Sequence, residues 1–176
     1  MLRCFKNYVN ISGPPDRIHA LVKTNFDFDQ IIPEPYLDDD NTRIFNWRCE
    51  HWGSVWTSNF RVISESGDQK TLNIVASFDS FAAPPIPIWE VLEKQGLLVR
   101  ASFDEEATQM SGDYQKGQTQ LFYQDGVVTL SNDQVNYETY PTLDEYLESY
   151  PLFEKFYLIS ANAHFARSPQ KHEIHK

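Results

Sequence analysis

The spacing of apolar residues near the amino end predicts a strand followed by a helix. Residues 4–12 form a run rich in strand-forming side chains, and the breaker Gly13-Pro14-Pro15 ends it. Apolar side chains then recur at intervals of three and four over residues 18–22, which is typical of one helix face, and Asp16 is a suitable N-cap. A strand, a turn and a helix in this order begin a β-α-β unit.

The next two segments interrupt this regular pattern. Pro33 and Pro35 lie two residues apart, which predicts an extended connector over residues 24–41. The connector contains the acidic run Asp38-Asp39-Asp40, which is expected at a loop tip, where three carboxylates either face solvent or hold a cation. Residues 46–56 follow, and we interpret them as extended too.

A hairpin, a helix and a further strand are predicted next. Strand-forming residues at 60–63 and 71–78 flank a turn. The proline-rich run 82–87 opens a helix that Gly96 terminates, and residues 97–103 form a strand. The order β-α-β-β-α-β predicts an α+β fold, a ferredoxin-like two-layer sandwich with two helices on one face of an antiparallel sheet.

The rest of the chain is predicted to extend this domain with short strands and then helices. Thr142 and Glu145 form a capping box at the start of the helical part. The additional strand candidates are 107–114, 120–123 and 127–130. The predicted organisation is a ferredoxin-like domain with an added hairpin at 1–131, C-terminal helices packed on the same domain at 132–163, and a polar tail at 164–176.

Composition narrows the class of protein. The chain is 41% hydrophobic, which predicts a globular fold, and its apolar runs are too short to cross a bilayer. There are 15 basic and 25 acidic residues, a formal net charge of −10. This charge disfavours direct, sequence-independent nucleic-acid binding and favours basic partners. Two cysteines are too few for a disulfide framework, and no secretory segment opens the chain, so the cytosol is expected.

Residues 46–56 are the candidate functional segment because they contain three of the four tryptophans. An indole wall lowers the local dielectric, so Glu50 and His51 are candidates for an acid-base pair. In an extended segment, however, adjacent residues face opposite ways, which makes them a surface pair. Cys49 and His51 lack a second ligand pair, and we expect no metal and no cofactor. The candidate binding residues are Trp47, Arg48, Glu50, His51, Trp52 and Trp56, together with Asp38, Asp39 and Asp40.

Five short motifs along the chain occur together in one known family. They are Asn7 with Ile11-Ser12-Gly13-Pro14, Phe28 with Ile31-Ile32-Pro33-Glu34-Pro35, the stretch from Trp47 to Trp56, Pro84-Pro85, and Ser111-Gly112. This set resembles the Api92-like or YubB-like ferredoxin-like proteins of phages and plasmids. The resemblance covers residues 4–117, and Trp52-Gly53-x-x-Trp56 is its specific part. It implies a ferredoxin-like core, a mobile-element origin and a place in the cytoplasm of a bacterial host, but no reaction.

Charge and resemblance together favour an interaction protein over an enzyme. The first hypothesis is a phage- or plasmid-type accessory protein that binds a host protein through its acidic loops and aromatic residues, as an inhibitor of a nucleic-acid-handling or defence complex. The alternative is a small-ligand binder or enzyme that uses a cleft lined by Trp47, Trp52 and Trp56 with Glu50 and His51. A third option is single-strand binding on the sheet, where exposed aromatics can stack bases.

Overall fold

The structure is a computed structural model that describes residues 3–37, 40–106, 110–123, 126–131 and 134–137. Asp38 and Asp39 lie outside the described residues, as do residues 107–109 at the start of one predicted strand. The predicted helices from residue 142 onward and the polar tail 164–176 lie outside them as well.

The described chain combines strands and helices, so the predicted α+β class is confirmed. Strands are found where the sequence predicts them, including the three short ones after residue 107, and β8 continues the sheet past residue 131. In chain order the elements are β1 (Cys4–Gly13), α1 (Pro15–Lys23), α2 (Phe28–Ile31), α3 (Asn41–Trp52), β2 (Thr57–Gly67), β3 (Leu72–Phe81), α4 (Ile86–Lys94), β4 (Leu98–Glu105), β5 (Met110–Gln115), β6 (Gln118–Tyr123), β7 (Gly126–Ser131) and β8 (Gln134–Tyr137).

The strands form one sheet in the order β2-β3-β1-β4-β5-β6-β7-β8, and every neighbouring pair is antiparallel. Strand β1 is central, with Val9 paired to Ala76 of β3 on one side and to Ala101 of β4 on the other. From β4 to β8 each strand pairs with the next one in the chain. The first four strands are connected through helices or a hairpin, and the last four extend the sheet from the β4 edge.

The sheet buries one face and exposes the other. Along β1, Phe5, Val9 and Ile11 are buried, whereas the alternate residues Tyr8 and Asn10 are exposed. Successive side chains of a strand point to opposite faces, so this alternation separates a core face from a polar face. The buried face packs against the helices, which supply core residues such as Ile18 of α1 and Trp89 of α4.

Prolines and a glycine set the ends of the two predicted helices. Helix α1 begins after Pro14, which caps it without a side-chain hydrogen bond, so the prediction that Asp16 is the N-cap is wrong. Asp16 lies in the first helical turn instead, where a carboxylate favours the positive end of the helix dipole. Helix α4 follows Pro85, and Gly96 ends it with a φ of +88°. The predicted terminating role of this glycine is therefore confirmed.

The largest correction concerns residues 41–52, which form helix α3 and not part of an extended segment. The Asp40 carboxylate caps the helix by accepting the backbone N–H groups of Thr42 at 2.9 Å and Arg43 at 3.1 Å. Gly53 ends it in the left-handed conformation, with φ +72°, and donates its N–H to the Cys49 carbonyl. Many residues of this segment have weak helix propensity, so its caps and its packing decide its conformation.

The predicted connector before α3 also contains a helical turn. Residues Phe28–Ile31 form α2, and the Asp27 carboxylate caps it by accepting the Asp29 N–H at 3.1 Å. The prolines at 33 and 35 follow this turn, and no helix or strand is assigned to residues 33–37. The extended reading therefore holds for the proline segment but is wrong for residues 28–31.

Candidate functional site

The carboxyl end of α3 places most of the candidate residues in one region. Trp47 and His51 are four residues apart, so they lie one above the other on one helix face. Arg48 and Trp52 have the same spacing and occupy the neighbouring face. The helix thus brings together side chains that an extended segment would distribute on two sides.

His51 is held against the helix by a stacked indole. The Trp47 and His51 rings are nearly parallel at 9°, with centroids 4.3 Å apart. His51 Nδ1 lies 2.9 Å from the Trp47 carbonyl oxygen. Because a carbonyl only accepts, Nδ1 is the donor in this contact. The imidazole is therefore held in position by its own helix.

Glu50 does not complete an acid-base pair with this histidine. Its carboxylate lies 4.0 Å from His51 Nδ1, and 75% of its side chain is exposed. An ion pair this exposed contributes little, and the Trp47 carbonyl already accepts from Nδ1. The predicted placement of Glu50 and His51 on opposite faces is also wrong, because adjacent helical residues are about 100° apart in direction.

Trp52 is a core residue. Only 5% of it is exposed, and its Nε1 donates to the Ile32 carbonyl at 2.8 Å. Its ring packs edge-on against Phe28 and Trp47, with centroid distances of 6.0 Å and 5.6 Å. The indole therefore anchors α3 to the proline segment and to the core, and its polar group is satisfied.

Arg48 joins three segments of the chain. Its guanidinium forms a bidentate ion pair with Glu34, in which Nη2 donates to Oε1 at 3.3 Å and Nε donates to Oε2. Nη1 also donates to the Val55 carbonyl at 3.5 Å, and the guanidinium carbon lies 5.0 Å from the Trp52 ring centroid. Sequence reasoning missed the role of Glu34, which lies 14 residues before its partner. The one signal in the sequence was that Glu34 lies between Pro33 and Pro35, which fix the backbone on both sides of it.

Gly53 of the motif Trp52-Gly53-x-x-Trp56 contacts the loop that contains the Pro84-Pro85 motif. A Cβ on this glycine would lie 2.8 Å from Pro87 Cδ and 2.9 Å from the Pro84 carbonyl oxygen. The loop before α4 therefore packs directly on the end of α3, and only glycine fits both this contact and the positive φ. Two motifs that are about 30 residues apart in the sequence form one corner of the structure.

Trp56 is separated from the other two indoles. Its ring rests on Phe81, with centroids 5.0 Å apart, and 43% of it is exposed. Tyr36, which no prediction singled out, is 82% exposed. The structure thus brings Trp47 and Trp52 together and directs Trp56 to solvent. The three indoles do not line a shared chamber, because Trp52 belongs to the core.

The acidic residues divide into structural and exposed groups. Asp40 is occupied as the cap of α3, whereas Asp38 and Asp39 lie outside the described residues. The run Asp104-Glu105-Glu106 was also predicted to be an exposed acidic loop, but Glu105 is the last residue of β4 and is buried, with 3% exposed, whereas Glu106 is exposed. Asp40 is thus both a helix cap and exposed to solvent, and Glu105 is the buried carboxylate of the described acidic residues.

The described residues give no sign of a metal centre. Cys49 is buried, and this burial raises the pKa of its thiol to about 12, so it is an unreactive, protonated group. Among the described residues, no group of three or more His, Cys, Asp or Glu side chains is placed to hold a metal ion. Within the same part of the chain, no helix is both long and apolar enough to span a membrane.

Comparison of the chain with known protein families, with curated proteins and with solved structures finds no match. The Api92-like or YubB-like assignment therefore stays a prediction from the motifs.

Proposed function

We propose that this chain is a non-enzymatic accessory protein of phage or plasmid type that binds a host protein in the bacterial cytoplasm. The side chains that would carry the contact are Tyr36, Trp47, His51 and Trp56, which belong to the segments that Arg48 joins and are together called the aromatic surface. The observation that carries the proposal is the exposure of Tyr36 and Trp56, at 82% and 43%, next in sequence to residues that Arg48 contacts.

Bracing matters because rigid aromatic side chains bind at a low cost in conformational entropy. Arg48 bonds to Glu34, two residues before Tyr36, and to the carbonyl of Val55, one residue before Trp56. The exposed rings are thus within two residues of groups that the arginine contacts. Exposed Trp and Tyr on such a support are the side chains most enriched among residues that dominate binding energy.

We also propose that the first four strands and their helices form a ferredoxin-like sandwich. The spatial order β2-β3-β1-β4 with antiparallel neighbours supports this, as does the location of the core on the helix side of the sheet. Strands β5 to β8 would then be an extension of that core.

A partner with a basic surface fits the charge of the chain. At a formal net charge of −10, long-range attraction speeds association with cationic proteins and opposes approach to nucleic acid. Proteins that handle nucleic acids have basic surfaces, so an acidic protein that occupies such a surface would act as an inhibitor of a nucleic-acid-handling or defence complex.

The alternative of catalysis or ligand binding at the three tryptophans receives less support from the geometry. It requires Trp47, Trp52 and Trp56 to share a cleft with an oriented Glu50–His51 pair. Trp52 is buried, Trp56 lies on Phe81, and Glu50 is mostly exposed. We therefore place the function in binding and not in chemistry.

The test is affinity capture of a bacterial partner with wild-type protein and two variants. The double variant Tyr36→Ala/Trp56→Ala removes the exposed rings, and Leu98→Ala is the matched control, since Leu98 is an exposed apolar residue on β4, at 66%. We expect the affinity for the purified partner to fall at least tenfold with the double variant and to be unchanged with the control. Retention of the partner by the double variant would contradict the proposal.

Two further measurements separate folding and charge from the contact itself. Tyr36→Ser alone changes a side chain that is almost fully exposed, so it should weaken binding without lowering the melting temperature. Charge reversal at the exposed Glu106, as Glu106→Lys, should slow association at low salt and have little effect at high salt. If binding changes with neither salt nor charge reversal, the protein does not act by placing acidic residues on a basic surface, and that part of the proposal is refuted.

A further inference from the structure

The polar face of the sheet, opposite the helices, carries an open concavity of about 750 Å³. It lies across β1, β4, β5 and β6, and Tyr8 presents an aromatic ring there with 46% of the residue exposed. The other side chains that matter in its lining are Asn10, Arg100, Asp113, Lys116 and Gln120. None of these residues belongs to the aromatic surface.

Strand register arranges the lining in two rows. In the first row, Tyr8 is paired with Ser102, Ser102 with Asp113, and Asp113 with Gln120. In the second row, Asn10 is paired with Arg100, and Arg100 with Gln115, beside the turn residue Lys116. The rows are two residues apart along each strand, a separation of about 7 Å. An aromatic ring and hydrogen-bonding groups thus lie beside a row that carries cations.

Among the residues that the structure describes, neither Arg100 of the second row nor the adjacent Lys116 forms an ion pair. The Lys116 backbone is nevertheless fixed, because its N–H donates to the Glu93 carboxylate at 3.2 Å. The lining contains two cations and one carboxylate, Asp113, so its own side chains sum to +1 in a protein whose total is −10, with the Glu93 carboxylate adjoining the Lys116 backbone. Local positive charge at a concave site is complementary to an anionic ligand.

We propose that this concavity binds a nucleotide unit, with its base stacked on Tyr8 and its phosphate between Arg100 and Lys116. Open sheet faces that display an aromatic ring suit base stacking, because every base has a π face. Asp113 and Gln120 offer an acceptor and an amide to the base edge, and Arg100 offers the planar donor set that matches phosphate oxygens. The nucleotide is either free or part of a single strand, since the recognised chemistry is the same.

Global charge limits the size of the ligand. The net charge of −10 repels a long phosphate backbone, which agrees with the prediction that sequence-independent nucleic-acid binding is disfavoured. Two local cations can compensate one or two phosphates, so the site accommodates a short unit. This inference is independent of the proposed docking function, because it concerns the other face of the sheet.

The test measures binding of fluorescent eight-nucleotide single strands of DNA and RNA by anisotropy, in competition with nucleoside monophosphates and with inorganic phosphate. If nucleoside monophosphates displace the bound single strands at similar concentrations, the site is assigned to free nucleotides. If the single strands bind and monophosphates do not displace them, the site is assigned to single strands. If a duplex of the same length binds as well as the single strand, base stacking is not involved and the proposal is overturned.

Matched variants identify the face that binds. Tyr8→Ala should weaken binding about tenfold, and Tyr8→Phe, which keeps the ring, should leave it within about twofold. Arg100→Ala should weaken it about tenfold, whereas Arg43→Ala, an equal charge change at an exposed residue of α3, should not. Circular dichroism confirms that each variant is folded. Equal losses for Arg100→Ala and Arg43→Ala, or no loss for Tyr8→Ala, would refute the site.

Salt dependence and self-association provide further readouts. With two phosphate contacts, the logarithm of the single-strand affinity should fall with the logarithm of salt with a slope of about −1.4, and Arg100→Ala should halve the slope to about −0.7.

Light scattering reports whether a second copy covers this face. A dimer that Tyr8→Ala dissociates, or no binding of any nucleotide probe at millimolar concentration, would overturn the proposal.

Discussion

Replacing Gly53 by Ala tests the corner at which α3 meets the double-proline loop. Gly53 has a φ of +72°, a conformation that costs a residue with a Cβ about 1–2 kcal/mol. The added Cβ would also lie 2.8 Å from Pro87 Cδ and 2.9 Å from the Pro84 carbonyl oxygen. Overpacking of this kind costs about 1–3 kcal/mol. The free energy of unfolding should therefore fall by about 2–5 kcal/mol in Gly53→Ala.

Gly96→Ala is the matched control for this substitution. Gly96 has a φ of +88°, but a Cβ there would meet no atom of the described residues within 4 Å. This variant carries the backbone cost alone, about 1–2 kcal/mol. Both substitutions restrict the unfolded chain equally, so that contribution cancels in the comparison. The difference between the two variants, about 1–3 kcal/mol, isolates the contact of Gly53 with the loop.

Urea denaturation followed by far-UV circular dichroism measures this difference. At a denaturant dependence of about 2 kcal/mol/M, the midpoint of Gly53→Ala should lie about 0.5–1.5 M below that of Gly96→Ala. Equal midpoints would show that the packing of the loop on Gly53 does not contribute to stability, and would refute this account of the corner.

Three other predictions concern an ion pair, a thiol and a phenol. A double-mutant cycle with Glu34→Gln and Arg48→Met should give a coupling of about 0.5–1 kcal/mol that shrinks in high salt, since both side chains are partly exposed; no coupling would contradict the bracing role. Because Cys49 is buried and its pKa is raised to about 12, a disulfide reagent at pH 8 should modify it only after unfolding, while the exposed Cys4 reacts in the native protein. Burial and the bonded Glu93 carboxylate raise the pKa of Tyr114, so the folded state holds this proton more tightly. That stabilisation is complete below the unfolded pKa of 10.0 and is lost progressively as pH rises above it. The melting temperature of the wild type should therefore fall above pH 10 by more than that of Tyr114→Phe, which lacks the phenol.

Most of the sheet was predictable because strand signals are local. The breakers at residues 13–15, the turn after β2 and the proline-rich opening of α4 each act within a few residues, and the structure has element ends near them. Asp16 shows the limit of such reasoning. Its position before an apolar helical pattern suits a cap, but the chain enters α1 through Pro14, one residue before the first helical residue.

The candidate site was predictable in its members but not in its arrangement. The density of tryptophan identified residues 46–56, and Trp47, Arg48, His51 and Trp52 do cluster. The helical state of α3 was missed, because residues such as Asn, Thr, Trp and His favour a helix weakly and the Asp40 cap lies outside that window. With the wrong local structure, the relative directions of neighbouring side chains were wrong as well.

The chain by itself determined the α+β class, the places where most strands and helices end, and the acidic net charge. These follow from side-chain period, from proline and glycine, and from counting charges, all of which act without reference to distant residues. Only the tertiary structure decided that Arg48 pairs with Glu34, that Gly53 meets Pro84, and that Trp52 is buried while Trp56 is exposed. Each of these depends on how separated segments pack, and the free energy of that packing is a property of the folded chain as a whole.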